Sequence, residues 1–251
     1  MKKLRAEVVD IKQLEKALSF DRFEYIYAHE RFLNKNTHQK EKIIVLPDIF
    51  LGDCEEKTLN RLKELKELGF SRALAHTVGH IPLIQKAEMT LHGGMRLNIA
   101  NSLSAEFFAE QGAADIIVSC ELTASKIKAL NSPVPYGVVA YGRLPLMVTR
   151  RCPIKDGKPC NNGNNCRKYL TDRQGKKLKT LCSNTVELLN PDILTIADKI
   201  ADFPAAEFFV LKFTDEKDII SAAEDFIKGK KPQGNFTKEN FTRGLYYRGV
   251  E

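Results

Sequence analysis

The sequence predicts a (β/α)8 barrel, a TIM-like α/β fold, with a basic four-cysteine insert near its carboxyl-terminal third. Three observations predict it. Short β-rich runs alternate with amphipathic stretches, the strand-like runs number eight, and 251 residues suit one barrel domain with a buried core. Hydrophobic content of 43% and charged content of 28% exclude a disordered chain. A doubly wound open sheet is the competing arrangement. No GxGxxG fingerprint supports it, because Gly93-Gly94 lacks that spacing.

Taken in order, the strands are read at Ala6–Val9, Glu24–Ala28, Ile43–Pro47, Arg72–His76, Met95–Ala100, Asp115–Ser119, Gly137–Tyr141 and Phe208–Phe213. Apolar residues three or four apart mark helices at Ile11-Leu14-Leu18 and Leu59-Leu62-Leu65-Leu68. Further helices are expected at His80–Glu88, Leu103–Gln111, Thr123–Leu130, Ile193–Asp202 and Asp215–Lys228, with Asp215 as N-cap of the last. Residues 1–229 form the barrel on this reading, and 230–251 form a polar tail.

Residues 150–184 break the rhythm. They are rich in Gly, Asn, Lys and Cys and too poor in apolar periodicity to build a core of their own. From Arg150 to Ser183 there are ten Lys/Arg against two Asp, a balance of +8, while the whole chain carries +7. A polyanion such as RNA would meet the chain here. The opening residues turn polar at once and no long apolar run follows, so a cytoplasmic protein without a membrane partner is expected.

In a reducing compartment clustered cysteines are more often metal ligands than disulfides. Cys152, Cys160, Cys166 and Cys182 follow C-x7-C-x5-C-x15-C, and four thiolates can hold a zinc ion or an iron–sulfur cluster. Unrelated free thiols are the plainer alternative. Cys54 and Cys120 read as incidental and as a small core residue.

In barrels, functional side chains gather at the carboxyl ends of strands. Those ends supply His29, Asp48, His76, Asn98, Asn101, Glu121, Tyr141 and Arg143. His76 and Glu121 suit acid or base work, and Arg143 suits a bidentate grip on an anion. Asp48 and Asn101 read better as structural residues, Asn101-Ser102 as a helix cap, and His80 as the opening of a helix.

The string Tyr141-Gly142-Arg143-Leu144-Pro145-Leu146-Met147, followed by Arg151-Cys152-Pro153-Ile154, resembles the collagenase-like peptidase family U32. Leu97–Ser102, Ser119–Leu122 and Thr242–Val250 agree with it in order. The resemblance implies one of two activities: the peptidase of the family name, or an oxygen-independent hydroxylase of transfer or ribosomal RNA. In hydroxylase relatives a [4Fe–4S] cluster sits on four cysteines and prephenate is implicated as the oxygen source. Carried over, this implies a cluster on Cys152, Cys160, Cys166 and Cys182, with Arg143, Tyr141, His76, Glu121 and Asn98 as catalytic candidates. The chain looks like the second barrel of longer members, which implies a second family barrel as subunit and a non-catalytic, cluster-bearing or zinc-bearing role as a further alternative. The family's E-x-F-x-x-G-[SA]-x-C-x4-G-x-C signature is absent.

Overall fold

The computed structural model describes residues 2–49, 54–154, 169–182, 185–230 and 241–249. Seven parallel strands come first: β1 (Lys3–Val8), β2 (Phe23–His29), β3 (Ile43–Leu46), β4 (Arg72–Ala75), β5 (Thr90–Gly93), β6 (Ala113–Ile117) and β7 (Tyr136–Gly142). A separate antiparallel sheet follows, made of β8 (Pro145–Thr149), β9 (Tyr169–Thr171), β10 (Lys177–Cys182) and β11 (Val186–Leu189), in the order β8-β11-β10-β9. The short β12 (Ile193–Thr195) returns antiparallel to β7, and β13 (Phe208–Lys212) completes the barrel. Because β13 pairs in parallel with both β1 and β7, the eight-stranded sheet closes, which rules out the open doubly wound arrangement. Closure buries β3 and β13 on both faces, so they read as unbroken apolar runs rather than alternating ones.

Around the barrel lie α1 (Ile11–Leu18), α2 (Glu55–Glu67), α3 (His80–Lys86), α4 (Ser102–Glu110), α5 (Ala124–Lys128) and α6 (Ile219–Ile227). Their starts follow capping chemistry. Asp10, Thr123 and Asp218 accept from the third residue onward, and Asn101 forms a reciprocal capping box with Ser104. The connection from β2 to β3 has only the 3-10 turns Glu30–Phe32 and Lys40–Lys42 among its described residues. Between β7 and β13 a 3-10 stretch, Ala197–Asp202, stands in for a helix. The chain end covers that gap. Phe241–Thr242 (β14) pairs with β12, Arg243 grips Asp198 with Nη1 and Nη2, and the buried Tyr246 donates its hydroxyl to the Val139 carbonyl at 2.7 Å.

Three expected elements differ. The fifth strand is Thr90–Gly93, not Met95–Ala100. Met95–Leu97 is a 3-10 turn that ends on Asn98 at a φ of 51°, and only Ile99 bridges to Val118. At Gly94 a Cβ would lie 2.8 Å from the Ala75 carbonyl, so the chain can cross β4 there only as glycine. Ile193–Asp202 is not one helix, because Ile193–Thr195 is drawn into the sheet as β12. The last helix starts at Ile219 with Asp218 as its cap; Asp215 instead accepts from Lys179, Arg143 and Thr214. The insert also reaches beyond 150–184, since its sheet needs β8 and β11, one on each side of those bounds.

At the amino-terminal end the barrel interior holds a wired polar layer. Buried Arg5 donates to Glu24 (2.9 Å), the Tyr27 hydroxyl (3.1 Å) and Asp115 (2.7 Å), with its guanidinium 3.5 Å from the centre of the Phe208 ring. His92 Nδ1 shares Asp115 at 2.8 Å. Burial pushes the Asp115 carboxyl up, but the hydrogen bonds and charges of His92 and Arg5 hold it below its ordinary value.

Candidate functional site at the barrel mouth

At the carboxyl end of the strands a cavity of about 680 Å³, its solvent-open part included, lies between the barrel and the insert sheet. Its floor comes from strand ends: Glu7 and Val8 on β1, His29 on β2, Leu46 on β3 with Pro47 and Asp48 just after it, His76 after β4 and Lys212 on β13. Leu181, Thr185 and Glu187 of the insert face it from above. The insert is tied down across this gap. Arg96 pairs with Glu187 at 2.8 Å, Arg31 Nη1 donates to the Cys182 carbonyl at 3.3 Å, and Lys179 pairs with Asp215 at 3.0 Å.

The three histidines of this region differ in what their ring nitrogens can do. His29 Nδ1 accepts the Arg31 N–H (3.3 Å), so its proton sits on Nε2 and is donated to Asp48 Oδ1 at 2.7 Å. His80 Nδ1 accepts the His76 N–H (3.1 Å), and its Nε2–H donates to the Asp48 carbonyl (3.1 Å). Burial lowers the His80 pKa to about 4, so it stays neutral and stitches the end of β3 to the end of β4. His76 is the exception: its buried Nδ1 has no partner among the described residues. Burial, with the nearby charges of Arg96 and Lys212, keeps its ring well below the usual histidine pKa and therefore neutral.

Asp48 is the acidic counterpart. Burial pushes its carboxyl up, yet the hydrogen bond from His29, with the charges of Arg31 and Lys57 beyond, holds it below the ordinary value. Lys212 and Glu7, both largely buried, form an ion pair on the same floor. The mouth thus offers a neutral imidazole with one bare nitrogen, an oriented carboxylate and paired charges, a set suited to holding or moving a proton at a bound ligand.

Of the residues the sequence nominates, His76, His29 and Asp48 line this cavity. The others lie elsewhere. Tyr141 is buried and donates to Glu216 at 3.0 Å. Arg143 directs its fork at backbone, donating to the Asn190 carbonyl (3.2 Å) and the Pro191 carbonyl, with Asp215 at 3.4 Å. It ties the end of β7 to the end of the insert. Asn98 is exposed, and its Oδ1 accepts from Ser119 Oγ at 2.6 Å; Glu121 is exposed beside it. Asn101 is the helix cap that its position predicts.

Sequence reasoning missed Lys212, Glu7, Arg96 and Glu187. Lys212 was the most legible, since it interrupts the apolar run Phe208–Phe213. Arg96 was hidden by the misplaced fifth strand, and Glu187 faces the mouth only because the insert folds over it.

Cys152, just after β8, and Cys182, at the end of β10, come to the same end of the insert sheet through the pairings Cys182↔Val186 and Val186↔Thr149. Both are partly buried, and neither forms a disulfide among the described residues. Cys160 and Cys166 lie outside the described residues, and among the described residues there is no group of three or more metal-ligating side chains. Among the described residues, no helix is long and apolar enough to cross a membrane.

A sequence model of peptidase family U32 matches residues 17–214. No curated protein matches the chain. Among solved structures, that of the U32 peptidase Mk0906 is similar with a TM-score of 0.50 over 86% of this chain and 94% of that chain, at 11% sequence identity. At that identity the likeness concerns the fold alone.

Proposed function

The chain belongs to peptidase family U32, and from that premise we propose that it is an iron–sulfur, oxygen-independent hydroxylase, or a subunit of one, acting on RNA. The observation that carries the reading is the neighbourhood of Cys182. Arg31 binds its backbone carbonyl, and Leu181 and Thr185 on either side line the same cavity as His76. A [4Fe–4S] cluster held by Cys152, Cys160, Cys166 and Cys182 would supply one-electron chemistry beside the mouth. The chain's own residues do the rest. His76 Nδ1 accepts or returns a proton at the substrate atom that enters the cavity, and Asp48, fixed by His29, orients it. Prephenate as oxygen source comes only from the family resemblance, as does a second barrel as subunit.

The outer hairpin of the insert supports RNA as substrate. Arg173, Lys176 and Lys177 are exposed, and Lys177 Nζ lies 4.4 Å from the centre of the half-exposed Tyr169 ring, an aromatic–basic pairing that suits a single strand. The test is iron and acid-labile sulfide analysis of anaerobically purified protein beside Cys166→Ser. The expected wild type is brown, with about four iron and four sulfide per chain, and the variant loses colour. A colourless wild type with one zinc overturns the cluster. RNA binding that does not weaken with added salt overturns the RNA assignment. Hydrolysis of collagen-derived peptides by metal-free protein would favour the peptidase instead.

A further inference from the structure

The amino end of the barrel carries a cavity of its own. It measures about 570 Å³, its solvent-open part included, and the first residues of β1, β2, β4, β5, β6 and β13 ring it. That volume suits a small molecule. The wired layer of Arg5, Asp115 and His92 closes it on the inside, and the rings of Tyr25 and Phe208 give it apolar walls.

Two polar groups of the lining have hydrogen-bonding capacity that the fold does not use. His92 is 2% exposed, and its Nε2 has no partner among the described residues. Its Nδ1 meets Asp115, which is ion-paired with Arg5 and can only accept, so the ring hydrogen sits on Nδ1 and Nε2 is left as an acceptor. Arg72, at the start of β4, is the second group. Its Nη1 donates to the Glu41 carbonyl (3.3 Å) and Ser71 Oγ (3.1 Å), while Nε and Nη2 have no partner among the described residues. The other two cations of the lining are taken: Lys3 pairs with Glu24 at 2.5 Å, and Arg5 with Glu24 and Asp115.

These two groups lie close together. They stand on paired strands, and both meet the Tyr25 ring, the Arg72 guanidinium carbon 5.0 Å and the His92 ring centre 6.0 Å from its centre. One small ligand can reach both. Charge narrows its class. Lys3, Arg5 and Arg72 are balanced in the lining by Glu24, Asp115 and the exposed Glu207, so a polyanion gains nothing here, whereas a single carboxylate suits the open edge of Arg72. A bare, buried acceptor then selects for a ligand hydroxyl, because an analogue without one leaves the nitrogen unpaired.

We propose that this cavity binds a small hydroxy monocarboxylic acid: Arg72 takes the carboxylate through Nε and Nη2, His92 Nε2 accepts the hydroxyl hydrogen, and the carbon skeleton lies against Tyr25 and Phe208. The site binds only; no covalent step is involved. Arg5 and Asp115 keep their structural part, since the ligand lies outside their layer. The site is at the opposite end of the barrel from the mouth and does not depend on the function proposed there.

The test is a titration of the anaerobically purified full chain, labelled with nitrogen-15 at histidine, with lactate, propionate and alanine, followed by nuclear magnetic resonance. Lactate is expected to shift the His92 Nε2 resonance and to bind at least about tenfold more tightly than propionate, which differs from it only by the hydroxyl. Arg72→Gln should weaken lactate binding about tenfold without moving the unfolding midpoint. His92→Phe should remove the preference for lactate over propionate. No lactate binding, equal binding of lactate and propionate, alanine binding as tightly as lactate, or indifference to Arg72→Gln would each overturn the proposal. If His92→Phe does not fold, the wild-type and Arg72→Gln titrations decide it alone.

Discussion

The two ends of the barrel handle buried polarity in opposite ways. At the amino end, Arg5 donates to three side-chain acceptors, and Asp115 is shared between a guanidinium and an imidazole. At the mouth, His29 and His80 are equally well wired, while His76 Nδ1 and Glu30 Oε2 have no hydrogen-bond partner among the described residues. A bare buried polar atom costs stability unless something else requires it. The base network is what a structural layer looks like, and the mouth is what a site looks like. At the base, His92 Nε2 alone of this network lacks a hydrogen-bond partner among the described residues.

The sharpest way to break the comparison is Arg5→Met. Removing the guanidinium leaves Asp115 buried without its cation, and urea unfolding should show a loss of about 3–5 kcal/mol. A loss under about 1 kcal/mol would deny the base its structural role. The second effect is pH-dependent and opposite in sign at the two ends. Asp115 is held below its unfolded value, so its stabilisation is present above the unfolded pKa and lost as pH falls through the folded one. Glu30 is raised, so its favourable state holds below its unfolded value of 4.5 and is lost as pH climbs through about 7. Glu30→Gln should therefore be more stable than wild type at pH 8, by at most about 3 kcal/mol, and equal to it near pH 4. Equal stability at both pH values would contradict this. The smallest effect is expected of His76→Asn, which removes a group with one bare nitrogen. Its unfolding midpoint should move by less than about 1 kcal/mol equivalent, whereas a collapse of the fold would make His76 structural.

How much of this was legible in the sequence follows from which forces act locally. Strand alternation and helix spacing are local, and they favoured the barrel; its closure came only with the pairing of β13 to both β1 and β7. The cap at Asn101 was readable, because Asn followed by Ser-Leu-Ser already carries the hydrogen-bonding groups. The fifth strand was misread because its own residues, Thr90-Leu91-His92-Gly93, are short and half polar. His92 belongs there because it faces the interior layer with Asp115, a partner supplied by another strand. The site was legible in part. His76 announces itself at a strand end, whereas Asp48 read as structural and Arg143 read as an anion grip. A charge after an apolar strand needs a partner, and the partners proved to be backbone carbonyls 47 and 48 residues on. No local pattern reports such a contact. The insert's basic character was plain arithmetic, while its sheet depends on pairings between segments on either side of it.

The claim that joins these parts is that the mouth and the cysteine-bearing insert form one site while the base stands apart. Electron paramagnetic resonance of anaerobically prepared, reduced protein tests it most directly, comparing wild type, His76→Asn at the mouth and His92→Asn at the base. The account predicts an iron–sulfur signal in all three, with its line shape altered by His76→Asn and unchanged by His92→Asn. No iron–sulfur signal in wild type, or a change as large from the base substitution as from the mouth, would contradict it.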